Sequence, residues 1–343
     1  MANQTKQLAE LLRGAGAEVA LVQTNVPYSP AFVGRIPVLR ALFRLLPYGV
    51  ALWRTAGRCE LFHVMANSGW SWHLFAAPAI RVAAWRGVPV VVNYRGGEAG
   101  SFLARAHASV RRSMAKAALL VVPSGFLQAV FAQHGIQAQI VPNIVDLVRF
   151  RPPQESRPRG AHLVVVRNLE PIYDNATAVR ALALLRQIHP QAHLTIAGTG
   201  PEAAALHALV TSLGLASAVR LVGRLDRDAV AALYRDADVA LNPSTVDNMP
   251  NSILEAWASG VPVVSTNVGG VPFIVKDGTS ALLVPPRDPQ ALAAAVGRLL
   301  ENVRLAEALA GAGVFEARRY SWQRVSAELA ATYHKALASK PRQ

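Results

Sequence analysis

The stretch VDNMPNSILEAWASGVPVVS, residues 246–265, contains the signals of a loop, a short helix and a buried strand in direct succession. Pro250 is suited to the first turn of a helix and Gly260 to its end, and the β-branched run that follows is typical of a strand. The first amides of such a helix have no carbonyl partner within it and lie at its positive end, so they can bind a phosphate. Two carboxylates, Asp247 and Glu255, stand on either side of this helix start.

The helix spacing gives each polar side chain of this stretch a candidate role. Glu255 comes four residues after Asn251 and three after Ser252, so the three share one helix face. A carboxylate there can accept hydrogen bonds from neighbouring ribose hydroxyls while the amides of Asn251 and Ser252 hold a pyrophosphate. Asp247 would reach the next group along, a sugar. Alternatively, Glu255 is a solvated helix residue and Asp247 a capping residue, and the spacing alone leaves both interpretations open.

The same alternation of short β-branched runs and longer helical segments continues along the whole chain. It is typical of βαβ units, in which helices cover both faces of a parallel sheet. A Pro- and Arg-rich stretch without periodicity, RFRPPQESRPRG at residues 149–160, predicts a linker. We therefore expect an α/β protein with doubly wound domains at residues 1–150 and 161–320, joined by a linker at 151–160. The predicted strands are EVALVQT, PVVVNY, ALLVVPS and AQIVPN in the first half, and HLVVVRN, HLTIAGT, VRLVGR, DVALNP, VPVVST and ALLVPP in the second.

The start of the chain departs from this scheme. It opens on a helical pattern, QTKQLAELL, before the first predicted strand, EVALVQT. Doubly wound folds present ligands on the loops that follow their strands, including the first. Either this fold lacks its first strand or the sequence begins inside its gene. In the second case, we expect about 15 to 30 upstream residues that hold a strand and a Gly-rich loop.

Charge is concentrated in the first half of the 343-residue chain, whose formal net charge is +14. Residues 1–151 hold 16 Lys/Arg against 5 Asp/Glu, whereas the remainder holds 19 against 16. A basic half beside a near-neutral half indicates an anionic partner, such as nucleic acid, anionic lipid or a phosphorylated acceptor. A general bias of the proteome toward Arg is the alternative. Nucleic acid is disfavoured because no basic-aromatic platform or recognition helix is present.

Cysteine content and hydropathy indicate a cytoplasmic protein. The single cysteine, Cys59, excludes an internal disulfide and fits a reducing compartment. The N-terminus lacks the basic-then-apolar pattern of a signal peptide. Charge-free runs of membrane-span length all carry Gly, Pro or Asn in the middle, so no transmembrane helix is expected.

Three further motifs have competing interpretations. Gly198-x-Gly200-x-x-Ala203, after a predicted strand, has the form of a dinucleotide fingerprint, but a plain tight turn also fits. Arg167 ends a predicted strand, where it could pair with a diphosphate. Asp236 and Asp238 look like a metal-binding pair, but they end a helix and enter a strand, which favours a structural role. Neither a His/Cys metal cluster nor a nucleophile motif is present.

The ordered set of motifs resembles the family 4 glycosyltransferases, retaining enzymes of the two-domain GT-B fold. In the second half, the similar segments are VVVRNLEP, AGTGPE, VRLVGRLDRDAVAALYRDADVALNPS, and the stretch from Asp247 through ASGVPVVSTNVGG. In the first half, VVPSGFL and IVPNIVDLVRF are similar to the family. YSWQRVSAELAATYHKAL is similar to its last helix, so residues 321–343 are expected to cross back to the first domain. The resemblance covers nearly the whole chain.

The resemblance implies two Rossmann-like domains facing across a cleft, with a retaining hexosyl transfer from a nucleotide-sugar to a glycan or lipid-linked acceptor. Glu255 matches the second acid of the family's E-x7-E motif, which binds the ribose, and Asp247 stands where the first Glu contacts the donor sugar. Such enzymes need no metal or other cofactor, because a helix dipole and cationic side chains stabilise the leaving diphosphate. The residues expected at the site are Arg95, Asp247 and Arg167 for catalysis, and Arg167, Gly198, Gly200, Leu225, Asp247, Asn251, Ser252 and Glu255 for the donor, with Leu225 near the base.

The chain departs from the family pattern at four points. The first acid is Asp247 rather than Glu, Ile172 stands five residues after Arg167 in place of a Lys, and Arg95 replaces a His. The first strand and its Gly-rich loop are missing. These departures leave open a non-catalytic or impaired nucleotide-sugar-binding remnant, and AGTGPEA leaves open a nicotinamide-dependent dehydrogenase.

The segment PVLRALFRLLPYGVALWR, residues 37–54, predicts an amphipathic helix. Such a helix can dock peripherally on an anionic membrane at the cytoplasmic face, because basic and aromatic side chains suit an interface. Packing of this helix on the sheet, with its arginines in solvent, is the alternative. The expected contacts lie between Tyr28 and Arg58, and include Val38, Leu39, Leu42, Leu45, Leu46, Arg40, Arg44, Phe43, Tyr48 and Trp53.

Overall fold

The computed structural model describes residues 2–24, 37–155 and 160–339, which form two α/β units. One unit comprises residues 1–142 with 326–343, and the other comprises residues 143–325. The division lies before the predicted linker, because Val145 and Phe150 are buried in a core of the second unit. Part of that linker, residues 156–159, lies outside the described residues.

The first unit is built on a four-stranded parallel sheet whose strands follow one another in chain order. Val90, Val91 and Val92 are all fully buried, as expected for a strand covered on both faces. The strands are β1 (Phe62–Ala66), β2 (Val90–Tyr94), β3 (Leu119–Val122) and β4 (Gln139–Ile140). The helices are α1 (Ala2–Gly14), α2 (Pro37–Ala56), α3 (Ala77–Trp85), α4 (Ala99–Met114) and α5 (Gly125–Gln133), with a π-helical turn at Trp72–Ala76.

Two sequence predictions for this unit were wrong or incomplete. The run EVALVQT, residues 18–24, forms no strand, and none of the described strands pairs with it. Leu21 is exposed and Val22 packs against the core. A β-branched pattern describes a half-buried surface but cannot supply a ladder partner. Conversely, β1 was not predicted, because its short sequence FHVMA includes a histidine. Among the helices of the described residues, none combines the length and hydropathy that a transmembrane span requires.

The second unit contains a six-stranded parallel sheet in the order β10-β9-β8-β5-β6-β7, and all six strands match predicted runs. The strands are β5 (His162–Val166), β6 (His193–Ala197), β7 (Val219–Gly223), β8 (Val239–Asn242), β9 (Val263–Thr266) and β10 (Leu282–Val284). The helices are α6 (Asn175–Leu185), α7 (Ala203–Ser212), α8 (Arg227–Arg235), α9 (Asn251–Ala258), α10 (Val271–Ile274), α11 (Pro289–Glu301) and α12 (Val303–Ala317). A last helix, α13 (Trp322–Ala338), begins in this unit and belongs to the first unit from residue 326.

Alternate residues of the second sheet face two separate hydrophobic cores. Leu163 and Val165 of β5 lie in one core, which includes side chains of α6 and α11, whereas Val164 lies in the other, with side chains of α9. Helix α9 is fixed on its far side by α12. Its Trp257 is fully buried and donates a hydrogen bond from Nε1 to the carbonyl oxygen of Ser280 at 2.8 Å.

The contact between α9 and α12 leads to a test of packing. A Cβ on Gly313 of α12 would lie 2.5 Å from Cδ1 of Trp257, whereas a Cβ on Gly311 would meet nothing within 4 Å. We expect Gly313→Ala to destabilise the second unit by about 1–3 kcal/mol through overpacking, despite the better helix propensity of alanine. The matched control, Gly311→Ala, should instead stabilise the unit by about 0.5–1 kcal/mol. Urea unfolding followed by tryptophan fluorescence checks this, and equal shifts for both variants would contradict it.

Candidate functional site

The strand order of the second unit places its ligand-binding edge. The chain runs from β5 outward through β6 to β7, and from β8 outward through β9 to β10, so the topology reverses between β5 and β8. In open parallel sheets, ligands bind outside the carboxyl ends of the strands at such a switch point. Arg167 directly follows β5, and the loop that follows β8 contains Asp247. The fold therefore brings these two predicted residues together.

Arg167 and Asp247 form an ion pair through Nη2 and Oδ2. Both are largely buried, with side-chain exposures of 11% and 9%. Nη2 of Arg167 also donates to Oγ of Ser244 at 3.2 Å, and its Cζ lies 4.2 Å from the ring centre of Tyr173, a favourable cation–π geometry. Burial lowers the pKa of Arg167, but a guanidinium remains charged because its ordinary pKa is so high.

Two buried hydrogen-bond donors at this edge have no acceptor in the part of the chain that the structure describes. They are Nε of Arg167 and Oγ of Ser252. A buried donor without a partner costs about 1–3 kcal/mol. Both groups can donate to an anionic ligand, which would remove this cost.

The Gly-x-Gly motif lies beside Arg167 for a structural reason. A Cβ on Gly198 would collide with the carbonyl oxygen of Arg167, and a Cβ on Gly200 with that of Leu169. The two loops are joined by a hydrogen bond from the amide of Leu169 to the carbonyl oxygen of Thr199 at 3.1 Å. The protein's own backbone thus fills the space that the glycines leave, which favours the tight-turn interpretation over the dinucleotide fingerprint.

A second pair of glycines supports the loop that contains Asp247. Gly269 has a φ of +51°, and a Cβ on it would collide with the carbonyl oxygen of Asp247. Gly270 approaches Asn248 in the same way, and its amide donates to the carbonyl oxygen of Asp247 at 2.8 Å. The close approach that these glycines permit is again to the protein's own backbone.

The start of α9 is held by Asn143, which follows the first unit in the chain. Nδ2 of Asn143 donates to the carbonyl oxygen of Met249 at 2.9 Å and to Oδ1 of Asn251 at 2.7 Å. Pro250 is the N-cap rather than the first helical residue, and Gly260 ends the helix with a φ of +71°. The first amides of α9, at Asn251 and Ser252, therefore lie at the positive end of a well-fixed helix.

Glu255 lies one turn further along α9 and is partly buried. Burial raises the pKa of Glu255 to about 7, and the charges of Arg227 and Arg167 offset this in part. The fully buried Tyr234 donates its hydroxyl to the carbonyl oxygen of Ser252 at 3.0 Å. A carboxylate in this position is already partly desolvated, so hydrogen bonds from ligand hydroxyls would favour its charged form.

The other candidate residues are distributed as follows. Leu225 is partly buried in the loop after β7, at the same edge of the sheet. Arg95 directly follows β2 and belongs to the first unit. Asp238 is bound at the opposite end of β5, where its Oδ2 accepts from the amides of Gly160 and His162 at 3.0 and 2.8 Å. This is the structural role that the sequence favoured for the acidic pair.

Three residues of the site were not predicted from the sequence. Asn143 lies within a segment that carried the family resemblance, IVPNIVDLVRF, but a single Asn after a Pro gives no sign of its two contacts. Tyr173 follows Ile172, where the family pattern has a Lys. Its ring packs against the guanidinium of Arg167, a contact that the sequence does not indicate. Ser244 reaches Arg167 from the end of another strand, 77 positions along the chain.

Comparisons with known proteins agree with this architecture. The sucrose-phosphate synthase from Thermosynechococcus elongatus superposes with a TM-score of 0.77 at 23% identity, over 97% of this chain and 92% of that one. HepE from Anabaena, solved in complex with UDP, superposes with a TM-score of 0.71 at 20% identity, over 84% and 82% of the two chains. At these identities the likeness shows the fold, and these neighbours are GT-B glycosyltransferases.

Two curated relatives are similar in sequence. The D-inositol 3-phosphate glycosyltransferase of Acidothermus cellulolyticus is 35% identical over 220 residues, which cover 59% of this chain and 49% of that protein. The glycogen synthase of Mycobacterium tuberculosis is 31% identical over 275 residues, 76% of this chain and 66% of that protein. The match to the first of these spans about half of its length.

Both halves of the chain match family models. Residues 1–149 match the model described as Glycosyltransferase Family 4, and residues 160–302 match the model described as Glycosyl transferases group 1. The two matches adjoin in the order in which the two units follow one another, and each contains one of the two parallel sheets. The chain belongs to the family 4, group 1 glycosyltransferases, with the GT-B type of fold.

Proposed function

We propose that the protein is a retaining glycosyltransferase that moves a hexosyl group from a nucleotide-sugar to a glycan or lipid-linked acceptor. The observation that carries this proposal is the group of anion-binding elements at the switch point of the second sheet. Arg167 and the first turn of α9 meet there, with two buried donors that have no partner among the described residues. Family membership supplies the reaction class.

In this proposal the diphosphate of the donor binds between Arg167 and the amides of Asn251 and Ser252. An arginine gives charge-assisted hydrogen bonds, and the helix dipole adds a fixed partial positive charge. Together they would stabilise the charge that develops on the leaving diphosphate, and we propose that no metal or other cofactor is required. Asp247, paired with Arg167, would lie beside the donor sugar.

The nucleoside would extend along α9 toward Glu255 and the loop of Leu225. Glu255 would accept hydrogen bonds from the ribose hydroxyls, and Leu225 would contact the base. A structural neighbour was solved in complex with UDP, so UDP is the first nucleotide to test. Arg95, a cation at the carboxyl edge of the first sheet, is proposed as a further catalytic group.

Turnover of nucleotide-sugars tests the proposal directly. We expect the full chain to release UDP or GDP from a panel of UDP- and GDP-sugars in the presence of glycan or lipid-linked acceptors. Binding of UDP without turnover of any donor would favour a non-catalytic remnant. Binding of NADH in place of UDP would favour a dehydrogenase.

One prediction for nucleotide binding concerns Glu255. We expect Glu255→Ala to abolish measurable UDP binding, and Glu255→Gln to lose less, because the amide oxygen still accepts one hydrogen bond. Since burial raises the pKa of Glu255 to about 7, wild-type affinity should increase with pH up to about 7 and then level off. Binding below that pH should release a proton.

Calorimetric titration with UDP in buffers of different ionisation enthalpy measures both effects. Glu255→Gln serves as the control, since it should keep only the pH dependence and proton release that come from the terminal phosphate of UDP. Unchanged affinity in Glu255→Ala would remove Glu255 from the nucleotide site.

Another prediction for nucleotide binding concerns the ion pair between Arg167 and Asp247. Removing Arg167 alone would leave Asp247 as an unpaired buried charge, so the informative variant is the double substitution Arg167→Ala, Asp247→Asn. A hydrogen bond to a charged group contributes about 1.5–3 kcal/mol, so UDP affinity should fall by about 10- to 150-fold while uridine affinity changes little. Isothermal titration with both ligands checks this. Equal losses for UDP and uridine would show that Arg167 does not contact the diphosphate.

We also propose that the first unit docks on an anionic membrane surface through α2. Among the side chains of α2 that the structure describes, four large apolar ones at helical spacing are exposed: Phe43, Leu46, Val50 and Trp53, at 46%, 61%, 49% and 49%. The guanidinium of Arg86 lies 4.9 Å from the ring centre of Trp53, so a cation accompanies the apolar face. The excess of basic residues in this half of the chain suits anionic lipid.

Not all of the predicted membrane contacts of α2 are exposed. Tyr48 is buried and donates its hydroxyl to the carbonyl oxygen of Phe75 at 3.1 Å, so the prediction that it faces an interface was wrong. Leu45 is partly buried. The side chains of Val38, Leu39, Arg40 and Leu42, and all of residues 25–36 with Tyr28, lie outside the described residues.

The membrane proposal predicts a loss of vesicle binding when the exposed face becomes polar. The double variant Leu46→Ser, Val50→Ser should co-sediment less with vesicles that contain anionic lipid, because less apolar area enters the interface. The control is Ile188→Ser in the second unit, a site of 73% exposure, which should bind like the wild type. Binding that does not depend on lipid charge or on salt would exclude this surface as an anionic-membrane site.

A further inference from the structure

A chain of polar side chains crosses the first unit from its C-terminal helix to the carboxyl end of β2. Oη of Tyr333, on α13, lies 2.8 Å from Nδ1 of His63 on β1. Nε2 of His63 lies 3.0 Å from Nδ2 of Asn93 on β2. Oδ1 of Asn93 accepts from Nε of Arg95 at 2.7 Å. The four residues therefore form one continuous hydrogen-bonded series.

The donor and acceptor roles in this series follow from one end. Nε of Arg95 can only donate, so the atom of Asn93 that faces it is the oxygen, and the amide nitrogen faces His63. That nitrogen is a donor, so Nε2 of His63 must accept and carries no proton. A neutral imidazole then carries its proton on Nδ1, which donates to the hydroxyl oxygen of Tyr333.

Burial supports the neutral state that this assignment requires. Burial and the charge of Arg95 lower the pKa of His63 to about 3. Asn93 is 1% exposed, and the rings of His63 and Tyr333 are packed edge to face with their centres 5.7 Å apart. If one hydrogen bond of this series were reversed, two donors or two acceptors would face each other. The assigned arrangement therefore fixes the orientation of each side chain in the series.

The member at the end of the series is the candidate catalytic residue Arg95. It follows β2 at the carboxyl edge of a parallel sheet, where ligands of such folds bind. Burial lowers the pKa of Arg95 to about 10, so the guanidinium is charged at neutral pH. Its Nε is committed to Asn93, which fixes the plane of the guanidinium relative to the sheet.

We propose that Tyr333, His63 and Asn93 are positioning residues that hold Arg95 in one orientation to bind a phosphate group of a substrate. The proposal rests on the proposed function only in assigning Arg95 to substrate binding. The phosphate would belong to the nucleotide donor or to a phosphorylated acceptor. A guanidinium with a fixed plane loses less freedom when it binds a phosphate than one that rotates.

Side-chain NMR of the full chain tests the series without any assay of turnover. Nitrogen-15 shifts should show His63 neutral, with its proton on Nδ1. In His63→Phe, which keeps a ring but removes the acceptor of Asn93, solvent exchange of the Arg95 Nε–H should rise by about tenfold, the equivalent of one neutral hydrogen bond. His63→Gln, which restores an acceptor, should recover part of the protection. A proton on Nε2, or unchanged Arg95 exchange in His63→Phe, would overturn the proposal.

Titrations with inorganic phosphate test whether the fixed orientation of Arg95 strengthens phosphate binding. Inorganic phosphate should shift the Arg95 Nε–H signal of the wild type, and His63→Phe should weaken that binding by about tenfold. Tyr333→Phe should weaken it less, since it removes only the last acceptor. Thr332→Val, which removes a neighbouring hydroxyl that bonds Glu328 within α13, should match the wild type.

Further titrations with UDP and with glucose 6-phosphate identify the source of the phosphate. A shift of the Arg95 signal with UDP assigns the phosphate to the donor, and a shift with glucose 6-phosphate alone assigns it to the acceptor. No shift with any of the three would overturn the role of Arg95 in phosphate binding. That result would leave the proposed function standing if UDP still bound through Glu255.

Discussion

The site of the second unit depends on the buried ion pair between Arg167 and Asp247. Taking both charges out of water costs several kcal/mol, and their attraction repays this only when the geometry is good and the remaining polar atoms are bonded. The backbone on each side is therefore fixed. Gly198 and Gly200 let one loop press against the backbone of Arg167 and Leu169, and Gly269 and Gly270 let another press against the backbone of Asp247 and Asn248. The four glycines thus hold the two loops that carry the ion pair.

The remaining polar side chains of the edge serve the same constraint. Ser244 donates to Oδ1 of Asn242 at 3.1 Å and accepts from Arg167, and Oγ1 of Thr266 donates to the carbonyl oxygen of Ser244. Each group is buried and bonded, so the loop after β8 has one conformation. Two buried donors at this edge, Nε of Arg167 and Oγ of Ser252, have no hydrogen-bond partner among the described residues. In the proposed function these two donors are the ones that the diphosphate satisfies, since rigid surroundings leave them no protein acceptor.

The sequence predicted the second unit better than the first for a physical reason. Its strands are short apolar runs between clear turn signals, and all except β7 are mostly buried. The spacing around α9 placed Asn251, Ser252 and Glu255 on one helix. In the first unit, β1 contains His63. A histidine is not expected in a core strand from the sequence alone, but hydrogen bonds to Tyr333 and Asn93 satisfy both of its ring nitrogens. Contacts between distant positions, such as Asn143 with Met249 or Tyr173 with Arg167, have no local pattern at all. The opposite error occurred at EVALVQT, which was predicted as a strand and is not one, because a strand-like pattern does not form a ladder without a partner.

Each unit holds an arginine directly after a strand, but by different means. Arg167 is bonded by a carboxylate, so its charge is largely compensated before any ligand arrives. Arg95 is bonded by the neutral amide of Asn93, and His63 behind it is also neutral, so this series contributes no negative charge. The carboxylate offsets part of the cost of taking the guanidinium of Arg167 out of water, whereas the amide of Asn93 orients Arg95 without adding a negative charge. In the proposed function, the first arrangement suits a cation that must stay buried between loops, and the second suits one that must hold a fixed orientation toward a phosphate.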